Sequence, residues 1–543
     1  MNVNTDIRSN LDNLPDDVLG IIFRQLDLNE LIDLRRVGRG MYDRVTSLGI
    51  PLYLSSHRQS QITLFPSPDQ WDPLDLLKHN HYINRSLANH RFHALQVGPT
   101  WSKTVIPTLE ITSNKLVVGV GSKVLVHPLG PISTSDRHGG KVIDRAVEYD
   151  VRTKKDQGGK SDIIGIVPID GGSSGEHIVA QFDGTIQRIH LPSLSSSSDI
   201  DIYEYSTNPT PSIKARYSSF TQPKESINTL TGTTDGRQFM TTSVSGRVNI
   251  YTTNSPWTEP SFVQLKSPRA WSSLLSNSHD SSVGPMAILG IQGGMDLYNL
   301  LPTGTLSPNT TNRKLIGPEE PLLSSPYCLQ LPPTNPDGTP QTSHNPNLLL
   351  SGWYDSHLRI HDLRLPSQLP VGQFSDQYTW SDGSAYYSTC WVGDYHIAGG
   401  TSKHGTISFF DIRNSKNKNK DKKDRTGWSC FSPNGKGSPV YSMKYDNGKI
   451  YGVTERRSFV LSFDHSGEYK NGLLSEDLQR TMILQSNRDR DKGRYAPNGY
   501  KARGGKWTWS MRNEQDDKNG GIAVGYEHTS KGGVELFDSL VSA

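Results

Sequence analysis

Side chains that could do chemistry are few in this chain, and most lack the spacing that their chemistry needs. Residues 119–123 read GVGSK, without the Gly-x4-Gly-Lys-Ser/Thr spacing by which backbone N–H groups cradle phosphates. His79, His81, His90 and His93 come close together in sequence, but no carboxylate or cysteine completes a ligand set, and solvated or capping roles are expected for them. Cys328, Cys390 and Cys430 are far apart, with no Cys-x-x-Cys, so neither a disulfide framework nor a zinc ribbon is indicated. No catalytic residue, cofactor or metal ion is expected. What remains is a set of polar turns between strand-like segments, carrying Lys123, Asp183, Arg247, Asp355, Lys403, His404, Arg456 and Arg457, with Tyr354 among them. Cations outnumber anions there. Arg and Lys form short, charge-assisted hydrogen bonds to carboxylates and phosphates, so these turns would suit an acidic or phosphorylated protein segment. The alternative is that they are solvated turn residues.

The elements holding such turns follow from bulk composition. A length of 543 residues allows two or more domains, and 50 glycines with 33 prolines suit many short strands joined by turns. A net charge of +3, from 57 basic and 54 acidic residues, argues against nucleic acid as a partner of the whole molecule. No basic start followed by an apolar run, and no 18-residue apolar stretch, is found, so no membrane partner is expected and the location is read as cytoplasmic, nuclear or both.

Residues 11–50 carry three short helical patterns, after an N-terminus (1–10) expected to be disordered. Val18, Leu19, Ile22, Phe23 and Leu26 fall on one helical face. Asp16 and Asp17 place negative charge at the start, and Asp27 or Asn29 would cap the second helix, which carries Leu31, Ile32 and Leu34 towards Val37. Gly38 and Gly40 should break it, and Met41, Val45 and Leu48 form a third pattern. So small a bundle cannot bury all this apolar surface, and some should face a partner. The order Leu-Pro-x-Asp-Val-Leu, followed by Leu31, Leu34 and Val37, resembles the F-box. That resemblance implies docking on the adaptor Skp1, and through it on a cullin-RING ubiquitin ligase, with Leu14, Pro15, Val18, Leu19, Ile22, Phe23, Leu26, Leu31, Leu34 and Val37 as the contact residues. The sequence departs from the family at Gly38 and at Met41 or Tyr42.

Residues 51–91 read as a helical linker in which Leu74, Leu77, His81 and Leu87 line one face. Residues 92–543 then repeat one unit: an apolar strand, a turn, a strand ending in small residues, a tight polar turn, and a third strand often ending in Asp. Clear copies span 326–364, 388–413 and 439–464; weaker ones span 109–129, 163–191, 227–251, 271–298 and 507–538. Outer strands are expected at 145–149, 200–205, 261–266 and 371–374, and 92–97 would supply the outer strand of the last unit. Low-apolar insertions at about 302–347 in part, 414–426 and 487–506 are expected to be disordered. The units resemble WD repeats with degenerate Trp-Asp endings. This predicts an N-terminal, small all-α F-box of three helices followed by an all-β WD-type β-propeller, with eight blades favoured and seven as the alternative. In that family the turn after the second strand shares a face with the entry to the innermost strand, which would gather Arg247, Tyr354, Lys403, His404, Arg456 and Arg457 on one substrate face. The combination resembles F-box/WD-repeat substrate receptors, which are non-catalytic. The alternative is a WD scaffold with an F-box-like helical cap.

Overall fold

The computed structural model describes residues 14–464 apart from short stretches, the longest of which are 130–146, 152–159, 192–214, 218–224, 277–283 and 414–426, together with 527–528 and 534–535. Helix α1, Asp16–Phe23, starts directly after Pro15 and carries Asp16 and Asp17 in its first turn, where they offset unpaired N–H groups. Asp27 caps α2, Leu28–Arg35: its Oδ1 accepts from the Glu30 N–H at 2.9 Å, and Glu30 Oε2 accepts from the Asp27 N–H at 2.8 Å. Gly38 precedes α3, Arg39–Arg44, so Gly40 lies inside a helix and not in a break. The third pattern runs past Leu48, through the π turn Val45–Gly49 into α4, Ile50–Ser56, because Leu52, Tyr53 and Leu54 still have a core to pack on.

That core consists of Leu19, Phe23, Leu31, Met41, Val45, Ile50 and Leu77. Leu77 belongs to α5, Pro73–Ala88, which is capped by Asp72 accepting from the Leu74 N–H at 2.9 Å. The buried side of α5 is Leu77, Asn80, Ile83, Ser86 and Leu87, whereas His81, expected on that face, is exposed. Ile83 and Leu87 enter a second core, with Phe92, Cys390, Phe409, Trp428, Tyr445 and Phe463.

Seven four-stranded antiparallel sheets follow, spanning 108–150, 163–217, 227–264, 272–315, 326–374, 386–431 and 440–462, the last completed by β1, His93–Val97. We call them blades one to seven, with strands a to d from the axis outwards. Strand a of each blade packs on strand a of the next, and that of blade seven packs on that of blade one. β1 pairs with Ser458–Ser462 in the register His93↔Ser462 to Val97↔Ser458. Closure by the segment before blade one, at a blade ending at residue 462, leaves no gap for an eighth unit, so the count is seven and not eight. Of the 507–538 copy, the described residues form only the pair Glu527–His528 and Val534–Glu535.

Three further expectations change. The outer strand of blade two is Ala215–Tyr217, while 200–205 lies outside the described residues. Arg313–Leu315, inside a stretch expected to be a disordered insertion, is the outer strand of blade four. Thr342 and His344, in the next such stretch, are buried: His344 Nε2 lies 3.0 Å from the Gly393 carbonyl oxygen, and Ser60 Oγ donates to Gln341 Oε1 at 3.1 Å. Composition alone missed these tertiary partners. The segments 1–10, 414–426 and 487–506 lie outside the described residues.

Candidate functional site

The helical face splits by burial. Leu19, Phe23 and Leu31 are at most 1% exposed and form the core of the bundle, so they cannot themselves touch a partner. Leu14, Ile22, Leu26 and Leu34 are half-buried; Pro15, Val18 and Val37 are exposed. Sequence reasoning missed Ile21, 65% exposed, as a surface residue, and named Ile32 and Tyr42 without counting them as contact residues, although both are also open. The missed signal was that α1 is apolar on both sides: Leu19, Ile22 and Phe23 turn inwards while Val18 and Ile21, three apart, turn out. Tyr42 is held from below by Arg35, whose guanidinium lies 4.2 Å from the ring centre and whose Nη2 donates to the phenol oxygen at 2.6 Å.

The turn residues at the other end of the chain disperse in part. Lys123 is ion-paired with Glu148 on its own blade. Asp183 accepts from the Thr185 N–H inside its turn. Arg247 donates to Asn249 Oδ1 at 3.0 Å and lies 4.0 Å over the Phe262 ring, so it is turned towards the outer strand of blade three. Asp355 receives a two-pronged bond from Arg359, at 3.0 and 2.8 Å. Tyr354, Lys403, His404, Arg456 and Arg457 occupy the b–c turns of three successive blades, five to seven, with Tyr354, Lys403 and Arg456 exposed.

Beside these turns the sequence hid a regular device. In blades two, three, five, six and seven the a–b pairing slips at the second residue of strand a, which leaves Ile164, Asn228, Tyr327, Tyr387 and Tyr441 unpaired at equivalent places. Such bulges re-aim a side chain. In blade four, Trp271 stands just before strand a, its N–H bonded to the Gly290 carbonyl. The rings meet in one arc: Trp271–Tyr327 5.1 Å, Tyr327–Tyr387 5.2 Å, Tyr387–Tyr441 5.8 Å, with Tyr354 5.9 Å from Tyr327. The four phenol oxygens have no hydrogen-bond partner among the described residues. Burial, then the neighbouring phenols, push Tyr327 and Tyr387 up, and burial with Glu455 and Tyr387 pushes Tyr441 up to about 12, so these groups stay protonated donors. Arg269 closes the arc. Its guanidinium lies 4.1 Å over Trp271 and its Nη2 donates to Asn228 Oδ1 at 2.8 Å; its buried Nε has no partner, and it makes no ion pair among the described residues.

The histidines do not converge. His79 Nε2 lies 2.9 Å from Asn447 Oδ1, His90 stacks on Trp428, and His81 is exposed. Residues 171–175 spell a Gly-x-Ser-x-Gly run that joins two strands of blade two, and Ser173 Oγ donates to the Asp170 carbonyl at 2.8 Å within that turn. A strand-to-helix elbow, which would expose such a serine as nucleophile, is not what these residues build.

The two sites lie on opposite faces. Strand a of blade seven, Val440–Asp446, carries Tyr441 at its entry, while the ends of strands a in blades six and seven meet the linker and α5: Asn84 Nδ2 donates to Asp394 and Asp446 accepts from Ser60. No curated protein matches the chain. A family model described as the F-box domain matches residues 11–52. The chain thus carries an F-box domain followed by a seven-bladed β-propeller.

Proposed function

We propose that this chain is the substrate-recognition subunit of an SCF-type E3 ubiquitin ligase, with the F-box holding Skp1, and through it a cullin, while the propeller holds a protein substrate. The observation that carries this reading is the F-box match on residues 11–52 in the same chain as a propeller, with Val18, Ile21, Ile32 and Val37 exposed on its helices. An apolar set of this kind calls for a covering partner. The propeller units resemble WD repeats, and the strand pair at 349–355 with the opening strand at 438–441 is similar to dactylin, an F-box/WD-repeat protein. The chain itself supplies no bond chemistry in this reading. It raises the effective concentration of a substrate lysine near a charged conjugating enzyme. The place of action is cytoplasmic or nuclear, and the bound segment is acidic or phosphorylated.

The test uses the full chain as bait for purified Skp1 and cullin. Wild type retains both, and Ile21→Asp with Val37→Asp loses both without a change in melting temperature, because neither side chain is in the core. Leu19→Asp is uninformative here, since it would unfold the bundle. If wild type captures neither protein, the ligase reading is wrong and a scaffold with a helical cap replaces it.

A further inference from the structure

We infer that the arc of Trp271, Tyr327, Tyr354, Tyr387 and Tyr441 is the docking site for an extended protein segment in which a proline or aromatic side chain stands beside a carboxylate. The biological sense of this inference rests on the receptor reading above; its chemistry rests on the geometry. Tyr and Trp offer large contact area at little conformational cost, which is why they dominate the energetic centres of protein interfaces. Here four of the five are half-buried and Tyr354 is 55% exposed, so the rings are fixed at the base and open at the surface. The bulges fix them further, because each tyrosine backbone is tied into a sheet on both sides of the slipped residue. From Trp271 to Tyr441 the ring-to-ring steps of 5.1, 5.2 and 5.8 Å allow a track of at most roughly 16 Å, the length of about five extended residues.

Electrostatics selects among the segments that could lie there. Ring faces attract cations, so a lysine or methylated lysine is the first alternative. Against it, Arg269 already covers Trp271 and its charge reaches Tyr327, while at the far end of the arc the exposed Arg456 stands next in the chain to Glu455, the one carboxylate felt by Tyr441. A second cation would be repelled by the Arg269 guanidinium, which presents donors only and gives a basic head group nothing to bond. A segment recognised through phosphate alone is the second alternative. It would need several converging cations, whereas Lys123 and Arg359 are paired within their blades and Arg247 faces outwards. A carboxylate, with the carbonyls of an extended backbone, supplies acceptors for the phenol O–H groups and for Arg269. A planar or ring side chain covers the tyrosine faces.

To test this, a displayed library of random 12-residue peptides would be selected on the full-length protein. Enriched peptides would then be titrated by fluorescence anisotropy against wild type and variants. Enriched peptides should carry Pro, Phe, Tyr or Trp within two residues of Asp or Glu. Tyr387→Ala should weaken them about tenfold or more, and Tyr387→Phe, which keeps the ring, by much less. Arg269→Gln should weaken an acidic peptide but leave its Asp→Asn counterpart unchanged. Equal melting temperatures for wild type and Tyr387→Phe guard against a folding artefact. No enrichment, enrichment of basic peptides, or equal affinity for Tyr387→Ala would each overturn the inference. So would binding that is lost only in Arg456→Glu with Arg457→Glu, which would move the site to the cationic turns. Skp1 plays no part in this readout: a chain that recruits Skp1 but ignores these peptides refutes the arc alone, and one that binds them without recruiting Skp1 refutes the ligase reading alone.

Discussion

Arg359 places a full charge inside the propeller. Its side chain is wholly buried, lies 4.6 Å over Trp353, and is met by Asp355 through both carboxylate oxygens and by Gln373 Oε1 at 3.0 Å. Trp353 Nε1 in turn donates to Ser351 Oγ at 2.8 Å. Burial alone would raise the Asp355 carboxyl, but hydrogen bonds from His357 and Arg359, and the charge of Arg359, outweigh it and bring it down to about 2. Its contribution to stability is therefore complete above pH 4, and is lost as the pH falls towards 2. Asp355→Ala should cost roughly 3 kcal/mol, because it strands a buried charge, and adding Arg359→Leu should recover part of that loss. Urea melts of both variants check this, and a double variant less stable than the single would contradict it. In sequence, Asp355 looked like one more turn charge beside Tyr354. Which turn charges face solvent and which are neutralised within their own blade depends on residues four positions on and on the next strand, and so was not legible. The tyrosines were legible as letters at equivalent places in the units, but not as an arc, because the bulge that turns them is a matter of register.

At the scale of elements, α5 is a single rod with its ends in two cores: Leu74 and Leu77 pack with the F-box helices, and Ile83 and Leu87 pack with blades six and seven. It rests on the a–b turns through Gly393 and Gly448, both at positive φ, where a Cβ would come within 2.9 Å of Leu87 and 2.8 Å of Ile83. The chain before it is tied down by Asp446. This buried carboxylate accepts from Ser60 Oγ at 2.5 Å, the N–H groups of Ile62 and Thr63 at 2.9 and 2.7 Å, and Thr63 Oγ at 2.6 Å. A helix here was readable from its apolar spacing, yet its second core was not, since nothing local says that Ile83 meets a strand 360 residues away. Asp446→Ala leaves two backbone donors without a partner, at about 1 to 3 kcal/mol each, and should free residues 57–72 while the blades stay intact. Limited proteolysis should then cut that segment many times faster, with the propeller fragment surviving. Equal cleavage rates in wild type and variant would mean that Asp446 does not hold the two units together.

Over the whole molecule, closure decides both the blade count and the response to acid. Repeat counting alone gave eight because the last degenerate copy reads like the others; the count is set instead by β1, which takes the outer place on blade seven and joins residues 93–97 to 458–462. The ring so closed buries His127, His177, His344 and His361, each pushed down to about 4, chiefly by burial. These histidines fold neutral and can take a proton only after unfolding, where their affinity is that of a free imidazole, near 6.5. Stability should thus be complete above about pH 6.5 and fall as the pH drops towards 4. Each group contributes at most about 1.4 kcal/mol per pH unit, so the four together change stability by up to about 5.6 kcal/mol per pH unit, against a typical total of about 5 to 15 kcal/mol. A steep loss between pH 6.5 and 5 follows, well before Asp355 begins to titrate. His127 is the probe of choice, because neither ring nitrogen has a partner among the described residues, and its replacement removes a proton site without removing a bond. Urea midpoints at pH 7 and pH 5 should converge in His127→Leu relative to wild type, by about one proton's worth of slope. An unchanged gap would show that acid acts on the ring through some other group.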